Sequence, residues 1–500
     1  MNTIIDYLKI NCKKNKDKVL FLENNTNYIS YECFDIESLK ISSEIINEYN
    51  LYNKPIAIFI DRSINTLKSM FGVLRSGNFY TVLDTTSPQN RIDSIINTLK
   101  PELIITDSNN INNLIKYNLK AEVLNIDEIK NKKYSIEERE LIDSNPAYVL
   151  FTSGSTGIPK GTVITHKSLL SYTNWFVKAF KINNKTIFGS QTPFYFSMSV
   201  SDIFSTIMAG AKFCIIPKIN FSFPANLMKY LNEYKINTIY WVPSALSIVA
   251  NLKTFDYIKP EYLKKVLFAG EVMPMPQLNI WRKNLPKVMY ANLFGPTETT
   301  DICTYYIVNR KFENNMTLPI GIPCENTEIL LINENNKECS KDEVGEIYVK
   351  GSIVGNGYYN NEEKTKEAFV QNPLNNSYRE IVYKTGDLAK YNKYGELEYL
   401  GRRDFQIKHM GYRIELGEIE TNINSLDGIT LCACIYQDDL IILYYESNSL
   451  TNEDITTFVN KKLVSYMRPN KVIKLARMPY NANGKIDRVK LKEMYQEMEK

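Results

Sequence analysis

The sequence predicts a two-domain α/β protein, with parallel-sheet α/β layers over most of the chain and a small α+β domain at the C-terminal end. Three observations lead there. Short β-rich runs alternate with helical patterns at the spacing of parallel βαβ units. The texture changes near residue 405 to a compact unit with its own alternation. At 500 residues the chain exceeds the ~100–200 of one ordinary domain. Its 44% hydrophobic and 12% aromatic residues supply a substantial core and are not the composition of a disordered chain.

In chain order, PIAIFID (55–61) reads as a strand, INTLKSMFGVLRSG (64–77) as a helix and NFYTVLD (78–84) as a strand. RIDSIINTLK (91–100) and PELIITD (101–107) continue the alternation. Residues 127–145 are polar and charged, a surface connection. Beyond the change in texture, Leu416, Ile419, Ile423 and Leu426 fall on one face of an amphipathic helix. ITLCACIY and LIILYYE follow as strands across a QDD turn. Ile455, Phe458, Leu463 and Tyr466 mark a further helix limited by Pro469. The boundary falls between Arg403 and Asp404, giving domains 1–403 and 404–500.

Composition excludes several functions. Sixty Lys+Arg against 56 Asp+Glu give a net charge of +4 without a basic arm or stripe, so no nucleic-acid partner is expected. Apolar runs such as 55–60 fall far short of the roughly 20 residues that cross a bilayer, so no membrane partner is expected. The N-terminus lacks the order of a secretory signal, and a cytoplasmic location follows as the expectation. Eight scattered cysteines read as small hydrophobes in a reducing compartment. With only His166 and His409, a multi-histidine metal site or a Ser-His-Asp triad is a poor fit.

AYVLFTSGSTGIPKGTVITH (147–166) places a strand-like run directly before a loop of glycine and hydroxyl residues that ends on lysine. Thr152, Ser153, Gly154, Ser155, Thr156, Gly157 and Lys160 offer backbone N–H groups, hydroxyls and a cation to phosphates, an anion cradle. The spacing, and Gly161 after the lysine, differ from a GxxxxGK[ST] P-loop.

LFAGEVMP (267–274), NLFGPTETT (292–300), GEIYVKG (345–351), YKTGDLAKY (383–391), GRRDFQIKHMGYRIELGEIE (401–420) and NANGKIDR (481–488) then follow in order. With the loop, they identify a resemblance to the acyl-adenylating enzymes, which include acyl-CoA synthetases, luciferases and nonribosomal peptide synthetase adenylation domains. Within that superfamily the likeness is greatest to free-standing D-alanine:carrier-protein ligases. The resemblance implies a large adenylating domain with a barrel-like β portion, a mobile C-terminal lid, and ATP and Mg²⁺ as cofactors. It further implies that Glu298 serves Mg²⁺, a hard cation that prefers oxygen ligands. Asp387 would accept from ribose hydroxyls and Arg402 donate to ribose or phosphate. Asn292 and Phe294 would face adenine beside Gly270 and Glu271, with Gly295 and Thr297 of the same GPTE segment also on the nucleotide. Lys485 would neutralise the attacking carboxylate and the α-phosphate together. Asp404 would be the hinge for a second step in which the loop carrying Lys408 and Gly411 admits a pantetheine arm; Gly411 reads equally as a turn glycine.

Family matching lines the acyl pocket with Ser197, Met198, Ser201, Tyr240, Leu293, Asp301 and Ile302. Ser197 stands where amino-acid-activating members carry an aspartate for the substrate ammonium. A neutral hydroxyl does not compensate a desolvated ammonium. Two readings stay open: an amino acid whose displaced amine meets Asp301, or an acid with no amine, Asp301 then pairing with a protein cation. The expected function is ATP-dependent activation of a small carboxylic acid as acyl-AMP, followed by transfer to the phosphopantetheine thiol of a carrier protein arriving in trans, with CoA as the alternative acceptor. The rival from another class is a non-catalytic nucleotide- or carrier-binding relative.

Overall fold

The computed structural model describes residues 3–114, 116–117, 120–131, 138–154, 158–340, 342–403, 406–480 and 486–499, with the backbone alone at 130–131. The chain divides into two compact units. The first comprises Met1–Thr85, Thr98–Phe151 and Gly161–Arg403; the second comprises Thr86–Asn97, Thr152–Lys160 and Asp404–Lys500.

Pro55–Phe59 is buried at every position, as expected of a strand covered on both faces. It pairs in parallel with Phe79–Val82 on one side and Leu103–Thr106 on the other. The helix between, Ile64–Arg75, starts where the Ser63 hydroxyl accepts from the Thr66 N–H. These strands belong to a six-stranded sheet that ends on Pro146–Thr152 and Lys160–Thr165. A nine-stranded sheet has parallel Val19–Leu22, Lys212–Ile215, Ile187–Ser190, Thr238–Trp241, Lys265–Phe268 and Met289–Phe294 at its centre, with antiparallel strands at both edges. One continuous apolar core serves both sheets. The barrel-like portion is a five-stranded antiparallel sheet built around the long strand Ile381–Tyr391.

In the second unit, Leu416–Asn424 is a helix with Leu416, Ile419 and Ile423 buried. Leu431–Gln437 and Leu440–Glu446 form the expected hairpin. Its turn holds Asp438 and Asp439 at φ 51° and 59°, a left-handed pair that aspartate tolerates. The next helix departs from expectation. It runs from Asn452 to Lys462, closed at its N-terminus by a Thr451–Asp454 capping box, and stops well before Pro469. Leu463 has left the helix for extended backbone. Tyr466 lies in a short 3-10 turn and stacks on Tyr412 at 3.7 Å between centroids. Spacing alone extended the helix because both residues still pack inward.

Among the described residues no helix is long and apolar enough to cross a membrane. No group of three or more His, Cys, Asp or Glu among them could hold a metal. No disulfide joins the eight cysteines: five are buried, Cys12 and Cys339 are half-buried, and Cys33 is exposed.

Candidate active site

Strand Pro146–Thr152 delivers the chain into the hydroxyl-rich loop. Thr152 and Ser153 are buried. A Cβ at Gly154 would lie 2.1 Å from the Ile158 carbonyl oxygen, a space only glycine fits. Ser155, Thr156 and Gly157 lie outside the described residues. The Ser153 hydroxyl donates to the Arg413 carbonyl at 2.6 Å and accepts from the Glu415 N–H at 3.2 Å. The Lys160 Nζ stands 3.8 Å from the Glu415 carboxylate.

Strand Met289–Phe294 leads into the GPTE segment and a short 3-10 turn over Thr297–Thr299. Glu298 is fully buried and accepts from the Tyr358 hydroxyl at 2.6 Å. A Cβ at Gly295 would meet the Asp301 carbonyl at 2.4 Å and the Ile302 Cα at 2.5 Å. Gly295 is thus fixed by close approach to its own chain. Asn292 donates from Nδ2 to the Pro319 carbonyl at 2.9 Å, and the Phe294 ring lies 5.6 Å from that of Tyr399. Gly270 adopts φ 93°, and the next residue, Glu271, accepts from the Ser244 N–H at 2.8 Å, at the start of helix Pro243–Asn251.

Asp387 and Arg402 are direct cross-strand neighbours. Arg402 Nη1 sits 3.2 Å from Asp387 Oδ2 and donates to the Thr385 carbonyl at 3.0 Å. Asp387 Oδ1 is buried without a hydrogen-bond partner among the described residues. Lys408 faces Arg413 across a hairpin whose turn, Met410–Gly411, has φ 52° and 80°. Gly411 thus sits at a positive φ that glycine adopts freely. His409 meets the Tyr436 hydroxyl at 3.4 Å. Asp404 and Lys485 lie outside the described residues.

The predicted acyl-pocket residues separate into two groups. Met198, Leu293 and Ile302 join the apolar core. Ser197, Ser201, Tyr240 and Asp301 join one buried polar network. Asp301 Oδ2 accepts from Ser201 Oγ at 2.6 Å, Tyr240 OH at 3.0 Å and Tyr172 OH at 3.1 Å. Ser197, at the start of helix Met198–Ala209, accepts from Thr297 Oγ1 at 3.3 Å and bonds Asp301. Burial lifts the Asp301 carboxyl to about 6, against the opposing pull of the Ser201, Tyr240, Tyr172 and Ser197 hydroxyls. Among the described residues its hydrogen-bond partners are neutral hydroxyls. The backbone leading to it is strained. Thr300 has φ 70° and ψ −51°, and the Asp301 N–H donates to the Thr299 carbonyl at 2.8 Å, a γ-turn of the rare positive-φ kind.

Tyr172, on helix His166–Ala179, is the site residue that sequence reasoning missed. It lies outside every quoted motif, and its bond to Asp301 spans 129 residues. Nothing in its local pattern separates it from the apolar face around it.

Residues 8–359 match the family described as AMP-binding enzyme. Zwittermicin A synthase ZmaJ of Bacillus cereus is 33% identical over 446 residues, covering 87% of this chain and 84% of that protein. Tyrocidine synthase 1 of Brevibacillus parabrevis is 28% identical over 489 residues, covering 95% of this chain but 44% of the relative. Of solved structures, holo-PA1221, a protein containing adenylation and PCP domains, superposes with a TM-score of 0.86 at 20% identity, covering 99% of this chain and 84% of that one. The o-succinylbenzoate CoA synthetase MenE of Bacillus subtilis has a TM-score of 0.84 at 18% identity, covering 99% of this chain and 98% of that one. Both share the fold.

Proposed function

Because this chain belongs to the AMP-binding enzyme family and is an AMP-forming ligase of the adenylation-domain type, we propose that it activates a small carboxylic acid and passes the acyl group to a carrier thiol. In the first step a carboxylate oxygen bonds the α-phosphorus of ATP as the bond to the β-phosphate oxygen breaks, leaving acyl-AMP and pyrophosphate. In the second a thiolate bonds the acyl carbon and AMP departs.

One observation carries the reading. Asp387 Oδ1 is a buried acceptor without a partner among the described residues, on a carboxylate whose other oxygen is held by Arg402. A buried unpaired oxygen is costly, and vicinal ribose hydroxyls are the donors that would satisfy it. Glu298 fits a nucleotide-bound Mg²⁺, which asks of a protein only one or two carboxylate oxygens and takes phosphate oxygens for the rest. The ion would offset phosphate charge when bound. In this reading Thr152, Ser153, Gly154, Lys160 and the 155–157 segment hold the leaving pyrophosphate. Lys485 draws the acid and the α-phosphate together, and Asp404 is the hinge of a lid over 404–500. Lys408 and Gly411 serve the thiol step.

A carrier protein is preferred to CoA on the likeness to PA1221, whose chain contains a PCP domain. The test is acid-dependent ATP–pyrophosphate exchange with AMP as the product. Lys485→Ala is expected to lower the exchange rate by several powers of ten, about 4 kcal/mol or more of barrier. Exchange at the parental pace in that variant, or ADP as the product, refutes the mechanism.

A further inference from the structure

Asp301 is buried, 2% exposed, yet the groups that hold it among the described residues are neutral. Hydroxyls from three separate elements converge on a single oxygen. Tyr172 comes from helix His166–Ala179, Ser201 from helix Met198–Ala209 and Tyr240 from strand Thr238–Trp241. Hydrogen bonds donated to a carboxylate favour its charged form. This arrangement opposes burial and sustains an anion, but it adds no positive charge.

A buried charge without a counter-charge is expensive, and among the described residues the hydrogen-bond partners of Asp301 include no cation. The buried guanidinium of Arg62 hydrogen-bonds elsewhere. Its Nη1 donates to the Ile216 carbonyl at 3.0 Å, and its Nη2 donates to the Ser190 carbonyl and hydroxyl at 2.8 and 3.0 Å. The strained γ-turn at Thr300 is a second cost incurred where Asp301 is aimed. Ser197 connects the carboxylate to Thr297 of the GPTE segment, so the anion lies one hydroxyl away from the region assigned above to the nucleotide.

We propose that Asp301 is the counter-ion of an ammonium carried by the substrate, so that the acid activated here is an amine-bearing one and its nitrogen is recognised from residue 301 while residue 197 remains a neutral hydroxyl. The assignment rests on the acid-activating reading above and narrows its substrate class. Tyr172, Ser201 and Tyr240 are the positioning residues that hold the carboxylate ionised and oriented. Whether the nitrogen sits on the α- or the β-carbon is for the substrate panel to decide.

Pyrophosphate exchange with matched acids tests this: L-alanine, D-alanine and β-alanine against propionate, lactate and 3-hydroxypropionate, with larger homologues of each. At least one amine-bearing acid is expected to exceed its des-amino and hydroxy counterparts by 100-fold or more in kcat/KM, roughly the discrimination of a site with a desolvated charge. Asp301→Asn keeps the shape and removes the charge. It is expected to lower kcat/KM for the preferred amine-bearing acid about 1000-fold, to leave AMP binding by calorimetry unchanged, and to collapse the ratio to the des-amino acid. Tyr240→Phe, a milder change, lowers the same ratio about 10-fold. A ratio, unlike a rate, does not respond to general damage to the fold. Preference for the hydroxy or des-amino acid, or equal losses for both members of a pair in Asp301→Asn, overturns the assignment. AMP binding with no exchange from any acid overturns the acid-activating reading beneath it.

Discussion

Both ring nitrogens of His166 are buried without a hydrogen-bond partner among the described residues, and burial pushes the imidazole down to about 4. The folded chain therefore disfavours the protonated ring that the unfolded chain adopts below about pH 6.5. Above that pH the residue contributes nothing pH-dependent. As pH falls from 6.5 to 4 the unfolded state takes up the proton first and stability is lost, by about 3 kcal/mol at the lower end, after which the loss levels off. His166→Phe is expected to remove this component. The difference in urea midpoint between parent and variant should widen in the variant's favour between pH 7 and pH 4. A difference constant across that window contradicts the assignment. Asp301, raised to about 6, has the opposite dependence, gaining stability as pH falls through that value; it is present in both proteins and cancels in the comparison.

At the scale of the element, the GPTE segment is held against residues 301–303 by the absence of one side chain. Gly295→Ala would put a methyl 2.4 Å from the Asp301 carbonyl and 2.7 Å from the Cys303 nitrogen, backbone atoms that cannot swing aside. Overpacking of this kind costs about 1–3 kcal/mol, and here the displaced backbone carries both Glu298 and Asp301. We expect a lower urea midpoint together with a fall in exchange activity larger than the stability change explains. Unchanged activity in a destabilised variant would separate the two roles. The sequence discloses this glycine only as a motif member; its packing reason lies in a chain reversal that no local pattern announces. The helix Asn452–Lys462 teaches the same lesson in reverse. Its apolar spacing carries on through Leu463 and Tyr466 because those side chains still face the core, although the backbone has left the helix and Tyr466 is placed by its stack on Tyr412.

Across the whole molecule, the parallel layers were legible because strands buried on both faces read as unbroken apolar runs, as at Pro55–Phe59. The order of strands was not. Val19–Leu22 pairs with Lys212–Ile215, a partner chosen by long-range packing rather than by sequence neighbourhood. The nucleotide-side motifs were legible as compact strings. The polar network around Asp301 was legible only in part, because Ser197, Ser201, Tyr240 and Asp301 came from family matching while Tyr172 entered from a helix with no motif. Five of the eight cysteines are buried, as the composition leads one to expect, and Cys33 is the one exposed thiol. Burial raises the half-buried pair, Cys12 to about 12 and Cys339 in the same direction, away from the reactive thiolate. Titration with a disulfide reagent under native conditions is therefore expected to show about one fast-reacting group per chain, with the remainder appearing only in denaturant. Several fast groups would mean that the interior opens far more readily than this packing allows. That lone accessible sulfur, on helix Tyr31–Glu44, is a ready-made attachment point: a maleimide dye would tag the unmutated protein at a single defined place, and turnover could then be followed by fluorescence.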